Sequence, residues 1–407
     1  GYRIAMILAG ILPLVLSDAI GWGGSYALMA ALMLAGTAGV LAAPREADPP
    51  ARAADPEPAA VRPARDALEW TGRAGLVLAA AALLGSGLSG NPFLLNAPLS
   101  ALGLDALSGS LADLWAAKPV GAVAQVVSAV GGLVLLAAAV LPFRGAPTRP
   151  GRFLFRALGE PLADFVRRHR GAAMLILALI CVYRLPDFVL NIMNPFYLDI
   201  GFSKLEIAEV RKVLGVILSV AGVGLGGWAV ARLGLMRALV IGAFAGPVSN
   251  LAFAWLTLQG PQLWALAVAI GLDNLASGFA GTCLIAYMSS LTSRGFTASQ
   301  YALFSSLYAL LGKLVASQSG RIVEGAARMA EAPGGFLLPA APGAFAEAVA
   351  KSGVSAAGLG TGYVAFFIYS AGLGAAGVVL TLMVARREAR REAGRRSEGG
   401  TGDQAPA

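Results

Sequence analysis

Residues 120–142 read VGAVAQVVSAVGGLVLLAAAVLP, a block without one charged side chain. Apolar residues fill the block continuously, whereas a half-buried soluble helix or strand alternates them with polar residues. An α-helix needs about 20 mostly apolar residues to cross the hydrocarbon core of a bilayer. Backbone polar groups cannot stay unpaired in hydrocarbon, so the block has to be helical. It therefore predicts a membrane-spanning helix.

Similar blocks recur along the whole chain. Of the 407 residues, 57% are hydrophobic and 13% are charged, whereas about 25% charge is usual in soluble domains. The composition predicts an all-α polytopic membrane protein with about ten transmembrane helices. The ten predicted spans are residues 4–16, 23–43, 73–90, 120–142, 171–198, 207–233, 238–258, 262–291, 299–320 and 360–385.

The basic residues predict the orientation of these spans. If residues 46–72 face the cytoplasm, the cytoplasmic segments carry 21 Lys and Arg residues and the outer segments carry seven. This asymmetry agrees with the positive-inside rule and predicts that both ends are cytoplasmic. Because the arginines flank apolar blocks instead of forming a soluble basic domain, the net charge of +8 indicates anionic lipid and not nucleic acid.

Four stretches outside the spans have their own character. Residues 44–63 are rich in Ala and Pro and predict a flexible linker. Residues 144–170 form a basic connector, in which residues 158–168 are either an amphipathic helix on the inner membrane surface or a plain linker. Residues 322–359 predict a long outer loop with little patterning. The tail from Arg386 predicts a helix extension that frays into disorder.

Charged side chains inside the spans are the candidates for function, because ionisable groups at bilayer depth are costly. Arg184 and Asp187 lie three residues apart in the fifth span, on one helix face that Asn191 continues. Pro186 weakens the helix there, and broken helices often surround transporter binding sites. The alternative is an ion pair that only locks this helix to its neighbours.

A second polar group lies in the later spans. Asp273 and Asn274 interrupt the eighth span, and the glycines beside them predict close helix packing. A carboxyl group in apolar surroundings takes up a proton more readily, so Asp187 and Asp273 are candidate proton carriers. Lys313 in the ninth span is a candidate partner for either carboxylate or for an anionic substrate, and Gln300 is a neutral hydrogen-bonding group near it.

Other chemistry finds no support in the sequence. Cys181 and Cys283 fall within apolar blocks and are typical of buried free thiols. His169 lies in the basic connector without a nucleophile nearby. We expect no metal, no cofactor and no catalytic residue. No Walker A sequence appears, so an ion gradient is the expected source of energy.

The stretch from Gly227 to Arg237 closes one span and opens the next. Gly227, Arg232, Gly234 and Arg237 resemble the short cytoplasmic loop motif of the major facilitator superfamily. Ala231 stands where that motif usually has an acidic residue. The resemblance implies that this is a cytoplasmic gating loop.

Longer segments resemble the AmpG-type muropeptide permeases of that superfamily, over about two thirds of the chain. They are residues 1–44, 183–188, 273–274 and 296–303, with Lys313 matching a later basic residue. The resemblance implies a partial major facilitator fold whose first four spans are absent, so we expect an N-terminal portion to precede Gly1. Residues 66–150 have no counterpart in the family's twelve-span scheme.

The resemblance implies six segments. They are the remnant of an N-terminal bundle (1–43), a cytoplasmic linker (44–72), an inserted transmembrane hairpin (73–142), a basic connector (143–170), a six-helix bundle (171–385) and a cytoplasmic tail (386–407). Family members import anhydro-muropeptides, which are cell-wall sugar-peptide fragments, across the bacterial inner membrane with protons. The alternatives are a carrier of another bulky anion, such as an acyl-CoA-like solute, and a membrane scaffold or sensor without transport.

Overall fold

The structure is a computed structural model of the chain. It describes residues 20–43 (except 22, 26, 29, 35 and 40), 63–117, 120–140, 148–189, 192–316 and 319–399. The chain divides into two compact units, Gly1–Asp55 and Pro56–Ala407. Within residues 20–42, the described residues of the first unit are helical and are labelled α1.

The described residues of the second unit form helices joined by turns and loops, and no strand occurs among them. Its first helices are α2 (Pro63–Ser89), α3 (Phe93–Ala101), α4 (Asp105–Ala116), α5 (Val120–Val140), α6 (Arg149–Leu154), α7 (Glu160–Arg168), α8 (Ala173–Val182), α9 (Leu185–Val189) and α10 (Met193–Ile200). The others are α11 (Lys204–Glu209), α12 (Val216–Leu233), α13 (Leu235–Gln259), α14 (Leu263–Leu291), α15 (Thr297–Ala316), α16 (Ser319–Glu331), α17 (Ala346–Ser352) and α18 (Ala356–Gly399).

Six helical stretches among the described residues are long and apolar enough to cross a membrane. They are Pro63–Ser89, Val120–Val140, Lys204–Leu233, Leu235–Gln259, Leu263–Leu291 and Ala356–Arg391. They correspond to six of the ten predicted spans and confirm an all-α polytopic membrane protein. The predicted span at 4–16 and residues 44–62 of the predicted linker lie outside the described residues.

Three sequence predictions differ from the structure. Residues 171–198 do not form one helix, because the chain turns at Tyr183 and Arg184 between α8 and α9. Residues 322–359, predicted as an outer loop with little patterning, contain α17 and most of α16. Helix α2 begins at Pro63, within the segment predicted as a linker.

The described part of the basic connector is helical over residues 149–168 and not a plain linker. Helix α6, a π-helical turn at Phe155–Gly159 and α7 follow one another without a break. The Thr148 hydroxyl caps the start by accepting a hydrogen bond from the Gly151 amide. Such capping satisfies one of the N–H groups that the first helical turn leaves without a partner.

Small residues set the packing of the long helices. A Cβ added at Gly222 of α12 would lie 2.3 Å from the Leu275 carbonyl oxygen, and one at Gly278 of α14 would lie 2.5 Å from the Ser219 oxygen. The predicted close packing by glycine is therefore confirmed at Gly278. In the hairpin, Gly87 of α2 and Gly132 of α5 play the same role.

Two apolar cores fill the C-terminal bundle. One contains Phe196, Phe253, Ile270 and Phe367. The other contains Tyr183, Ala243, Ala280, Phe304 and Val384. Along each of α13, α14 and α18, the buried residues of one core are followed by a stretch without buried core residues and then by those of the other core.

Candidate functional site

Polar side chains occupy the stretches between the two cores. On α13 they lie between Ala243 and Phe253, on α14 between Ile270 and Ala280, and on α18 between Phe367 and Val384. We call them the polar layer, which consists of Arg184, Asp187, Ser249, Asn250, Asp273, Ser277 and Ser370. Because several helices contribute at corresponding positions, the layer is a property of the bundle and not of one helix.

The centre of the layer is the Arg184–Asp187 ion pair, at the turn between α8 and α9. Arg184 donates to one carboxylate oxygen, Asp187 Oδ2, from Nε at 2.8 Å and from Nη2 at 2.5 Å. The same Nη2 donates to Ser277 Oγ at 2.7 Å. The side chains keep 21% and 19% of their exposure, so the pair is shielded but not sealed.

Asp187 also faces helix α13. A Cβ added at Gly246 would lie 3.7 Å from Asp187 Oδ1, the carboxylate oxygen that does not bind Arg184. One turn further along, Ser249 Oγ donates to the Gly246 carbonyl at 2.8 Å and to Asp273 Oδ1 at 3.4 Å. The two predicted proton carriers therefore flank the same turn of α13.

Asp273 differs from Asp187 in that no basic side chain forms an ion pair with it among the described residues. No Lys or Arg side chain in the described part of the chain lies within 4.0 Å of its carboxylate. Its one hydrogen bond there comes from the neutral hydroxyl of Ser249. A carboxyl group in such surroundings has to be neutralised by a proton or a mobile cation, or be solvated by water.

A fully buried amide, which the sequence analysis missed, completes the layer. Asn250 Nδ2 donates to Ser370 Oγ at 2.7 Å, and Ser370 Oγ donates to the Pro186 carbonyl at 3.4 Å. The Asn250 Oδ1 atom has no hydrogen-bond partner among the described groups. This network links α13 and α18 to the interrupted helix. The signal in the sequence was Ser249 and Asn250 within an apolar block, two and three residues after Pro247.

Of the remaining predicted site residues, those whose side chains the structure describes do not bond to the Arg184–Asp187 pair. Asn191 lies outside the described residues. Lys313 lies within α15, but its side chain is not described. Asn274 donates to the Ile270 carbonyl of its own helix at 2.9 Å and approaches Gly215. Gln300 is buried, but its hydrogen bonds go to the connector and not to the Arg184–Asp187 pair.

Gln300 belongs to a separate cluster, the connector clamp, formed by Asp164, Arg168, Ser293 and Gln300. Arg168 donates to Asp164 at 2.9 Å and to Gln300 Oε1 at 3.0 Å. Gln300 Nε2 and Ser293 Oγ each donate to Asp164 Oδ2 at 3.0 Å. The clamp fastens α7 to the turn between α14 and α15.

Electrostatics favour the charged form of the clamp. Burial raises the pKa of Asp164, but hydrogen bonds from Arg168, Gln300 and Ser293 outweigh it and hold the pKa below its ordinary value. Burial lowers the pKa of His169, whose ring packs against Phe165 with centroids 4.7 Å apart. In this position the imidazole packs against an aromatic ring of the helix that precedes it.

The predicted gating loop is the junction of α12 and α13. Gly234 is its single linking residue, with φ 87°, a value that favours glycine because it has no Cβ. Arg232 and Arg237 lie on either side and are exposed. The geometry explains why the motif has glycine at Gly234, whereas a gating role stays a prediction.

Comparison with known proteins places the chain near one group of transporters. It is 34% identical over 165 residues to AmpG 4 of Rickettsia conorii, which is 40% of this chain and 39% of that protein. It is 33% identical over 173 residues to the anhydromuropeptide permease of Escherichia coli K12, or 42% of this chain and 35% of that protein. A third relative, AmpG 1 of Rickettsia bellii, is 32% identical over 151 residues.

These matches also have a limited extent. No protein-family model matches the chain. The chain spans about two fifths of the length of the relatives it matches, and each match covers less of it than the two thirds that the motifs indicated. The relatives carry the names of transporters and permeases and not of enzymes. Over about two fifths of its length, this polytopic membrane chain is therefore similar to AmpG-type permeases.

Proposed function

We propose that the chain is part of a proton-coupled permease that imports anhydro-muropeptides across the bacterial inner membrane. Support for the substrate class comes from the similarity to the anhydromuropeptide permease of Escherichia coli. Support for transport comes from the polar layer, since ionisable groups inside membrane bundles mark substrate and ion routes. The observation that carries the proposal is the Arg184–Asp187 pair at the interruption between α8 and α9.

Proton coupling in this proposal depends on an imbalance of charge. The polar layer has two carboxylates, and the Arg184 guanidinium donates hydrogen bonds to only one of them, that of Asp187. Asp273 is therefore the group that we expect to bind and release the coupling proton. The two carboxyl groups can affect one another through one turn of α13, because Asp187 faces Gly246 and Asp273 accepts a hydrogen bond from Ser249.

Alternating access in this proposal means that two bundles rock about a site near the bilayer midplane. In a partial major facilitator fold, residues 171–385 form one of these bundles. The exposed arginines at the α12–α13 junction then lie on the cytoplasmic side, as does the C-terminal tail. A C-terminal green fluorescent protein fusion that fluoresces in cells supports this orientation. An active C-terminal alkaline phosphatase fusion counts against it.

The test of function is uptake of radiolabelled anhydro-muropeptide by cells that lack their own permease and express the complete gene product. We expect uptake that a protonophore abolishes. If the protein is inserted in the membrane but the cells take up no anhydro-muropeptide, the proposed substrate is wrong. Uptake of another bulky anion in its place favours a carrier for that solute. If the wild type transports nothing and the Asp187→Asn substitution leaves cell-wall recycling unchanged, the result favours a membrane scaffold or sensor.

A further inference from the structure

The connector helix, residues 149–168, has a position that restricts what it can contact. It follows the membrane-spanning helix α5 after a short segment, and four residues separate it from the apolar helix α8. Its 20 residues are about 30 Å long at 1.5 Å per residue. Because both ends are tied to apolar helices, we expect the connector to run along the membrane surface and not away from it.

One side of the connector helix is fixed against the bundle. Phe165 is fully buried and its ring meets that of Phe304 in α15, with centroids 5.0 Å apart. The connector clamp holds Asp164 and Arg168 on this side. The rotation of the helix about its axis is therefore set, and so are the directions of its other faces.

A second side carries an exposed apolar stripe. Leu158, Leu162 and Val166 follow one another at steps of four, which places them on one face, and Phe155 precedes them in the π-helical turn. All four are exposed, at 36–43% of their full surface. Leu158 also lines a shallow cavity of about 390 Å³ whose other lining residues come from α15.

The third side is basic. Arg149 and Arg167 of the helix are exposed, as is Arg170 just beyond its end, and Arg152 and Arg156 follow Arg149 at steps of three and four on the same side of the helix. The connector carries two acidic residues, Glu160 and Asp164, and Asp164 is held within the clamp. An apolar stripe beside an excess of arginine is the pattern of a helix that lies in the interface of an anionic membrane.

We propose that the connector helix binds anionic phospholipid. In this arrangement the apolar stripe enters the region between headgroups and acyl chains, and the arginines contact lipid phosphates. Because the clamp joins α7 to the turn between α14 and α15, it then holds this turn at a fixed distance from the membrane surface. The inference concerns lipid and not the transported solute, so it stands independently of the proposed substrate.

The first test measures where the stripe lies. In complete protein with Cys181→Ala and Cys283→Ala, a bimane fluorophore is attached at Leu162→Cys or, as the matched control, at Ala163→Cys on another face. The protein is reconstituted into vesicles of phosphatidylcholine and phosphatidylglycerol that contain doxyl-labelled lipid. We expect strong quenching at position 162 and weak quenching at 163. Equal quenching at both, or none at 162, overturns the proposal.

The second test measures lipid preference and keeps both native cysteines. Native mass spectrometry counts phosphatidylglycerol retained by the wild type and by the Arg149→Gln/Arg167→Gln/Arg170→Gln variant. We expect the variant to bind this lipid at least about tenfold more weakly. The matched control, Lys204→Gln/Arg328→Gln/Lys351→Gln, removes the same charge from exposed positions elsewhere and should bind as the wild type does. Wild-type retention by the connector variant, or equal loss in the control, overturns the proposal.

Discussion

Arg184 donates two hydrogen bonds to the same carboxylate oxygen of Asp187, three residues further along the chain. The second oxygen of Asp187 is left to face Gly246 on α13. A surface pair in this geometry would contribute little to stability. Here the pair lies between two apolar cores, so the loss of either partner leaves a charge in a place that solvates it poorly.

Substitution of one member of the pair is expected to be more harmful than substitution of both. Asp187→Asn or Arg184→Gln alone should lower the Tm of the purified protein by several degrees, because each leaves an uncompensated charge. The double variant should recover part of that loss. Thermal unfolding in detergent measures the three values, and a double variant less stable than both single variants contradicts this account.

A variant in which the two residues exchange places separates a structural pair from a transport group. If the pair only locks helices, the exchanged variant Arg184→Asp/Asp187→Arg should transport whenever it regains stability. We expect regained stability without uptake, since a substrate or proton site depends on which helix position carries the acid. Wild-type uptake by the exchanged variant would assign the pair a packing role.

Asp273 should govern coupling and not binding. Asp273→Asn removes the carboxylate that has only Ser249 as a described partner. We expect the variant to lose accumulation against a gradient while it still exchanges labelled for unlabelled substrate across the membrane. The matched control is Ser289→Ala on the same helix, where the hydroxyl is exposed and bonds its own helix backbone. Full accumulation by Asp273→Asn would remove Asp273 from the proton route.

Close packing of α12 on α14 should be intolerant of a single methyl group. In Gly222→Ala the new Cβ would lie 2.3 Å from the Leu275 carbonyl oxygen, so one helix has to move. Overpacking of this kind costs about 1–3 kcal/mol. Gly224→Ala, two residues away, meets nothing within 4 Å and serves as the control. Thermal unfolding should separate the two variants, and equal Tm values would show that the helices are not packed this closely.

The connector clamp should stabilise the protein in a pH-dependent manner. Because hydrogen bonds hold the pKa of Asp164 below its ordinary value, its contribution is complete above about pH 4 and is lost as the pH falls through the lowered value. Asp164→Asn should therefore lower Tm at pH 7, and the difference from wild type should shrink below about pH 4.

A second ion pair with the same spacing provides the control for the clamp. Glu347 and Lys351 also lie four residues apart, but both are exposed and 4.0 Å separates their charged atoms. Glu347→Gln should leave Tm nearly unchanged at every pH. A difference for Asp164→Asn that stays constant from pH 7 to pH 3 would show that ionisation of Asp164 does not stabilise the clamp.

The class of fold was accessible from sequence because hydropathy reports directly on the solvent around a helix. Blocks such as residues 120–142 have no alternative to a buried helix. The interruption at Tyr183 and Arg184 was not predicted, because Pro186 signals a weak point without fixing where the chain turns. Helix α16 was missed because its apolar residues pack on α18 in a segment whose average composition is polar.

The site was predicted in part for a similar reason. The cost of buried charge singled out Arg184, Asp187 and Asp273 without knowledge of their neighbours. Neutral polar groups carry a weaker signal than charges, so Ser249 and Asn250 gained importance only when packing brought them to the same layer. Gln300 shows the converse, since its position in sequence suggested the membrane interior whereas its bonds hold the connector.

Transport by purified protein tests the central claim most directly. The complete gene product is reconstituted into proteoliposomes, and uptake of labelled anhydro-muropeptide is followed with an imposed inward proton gradient and without one. We predict accumulation above equilibrium only with the gradient, and none for Asp187→Asn. Equal uptake in both conditions, or unchanged accumulation by the Asp187→Asn variant, would contradict a proton-coupled role for the polar layer.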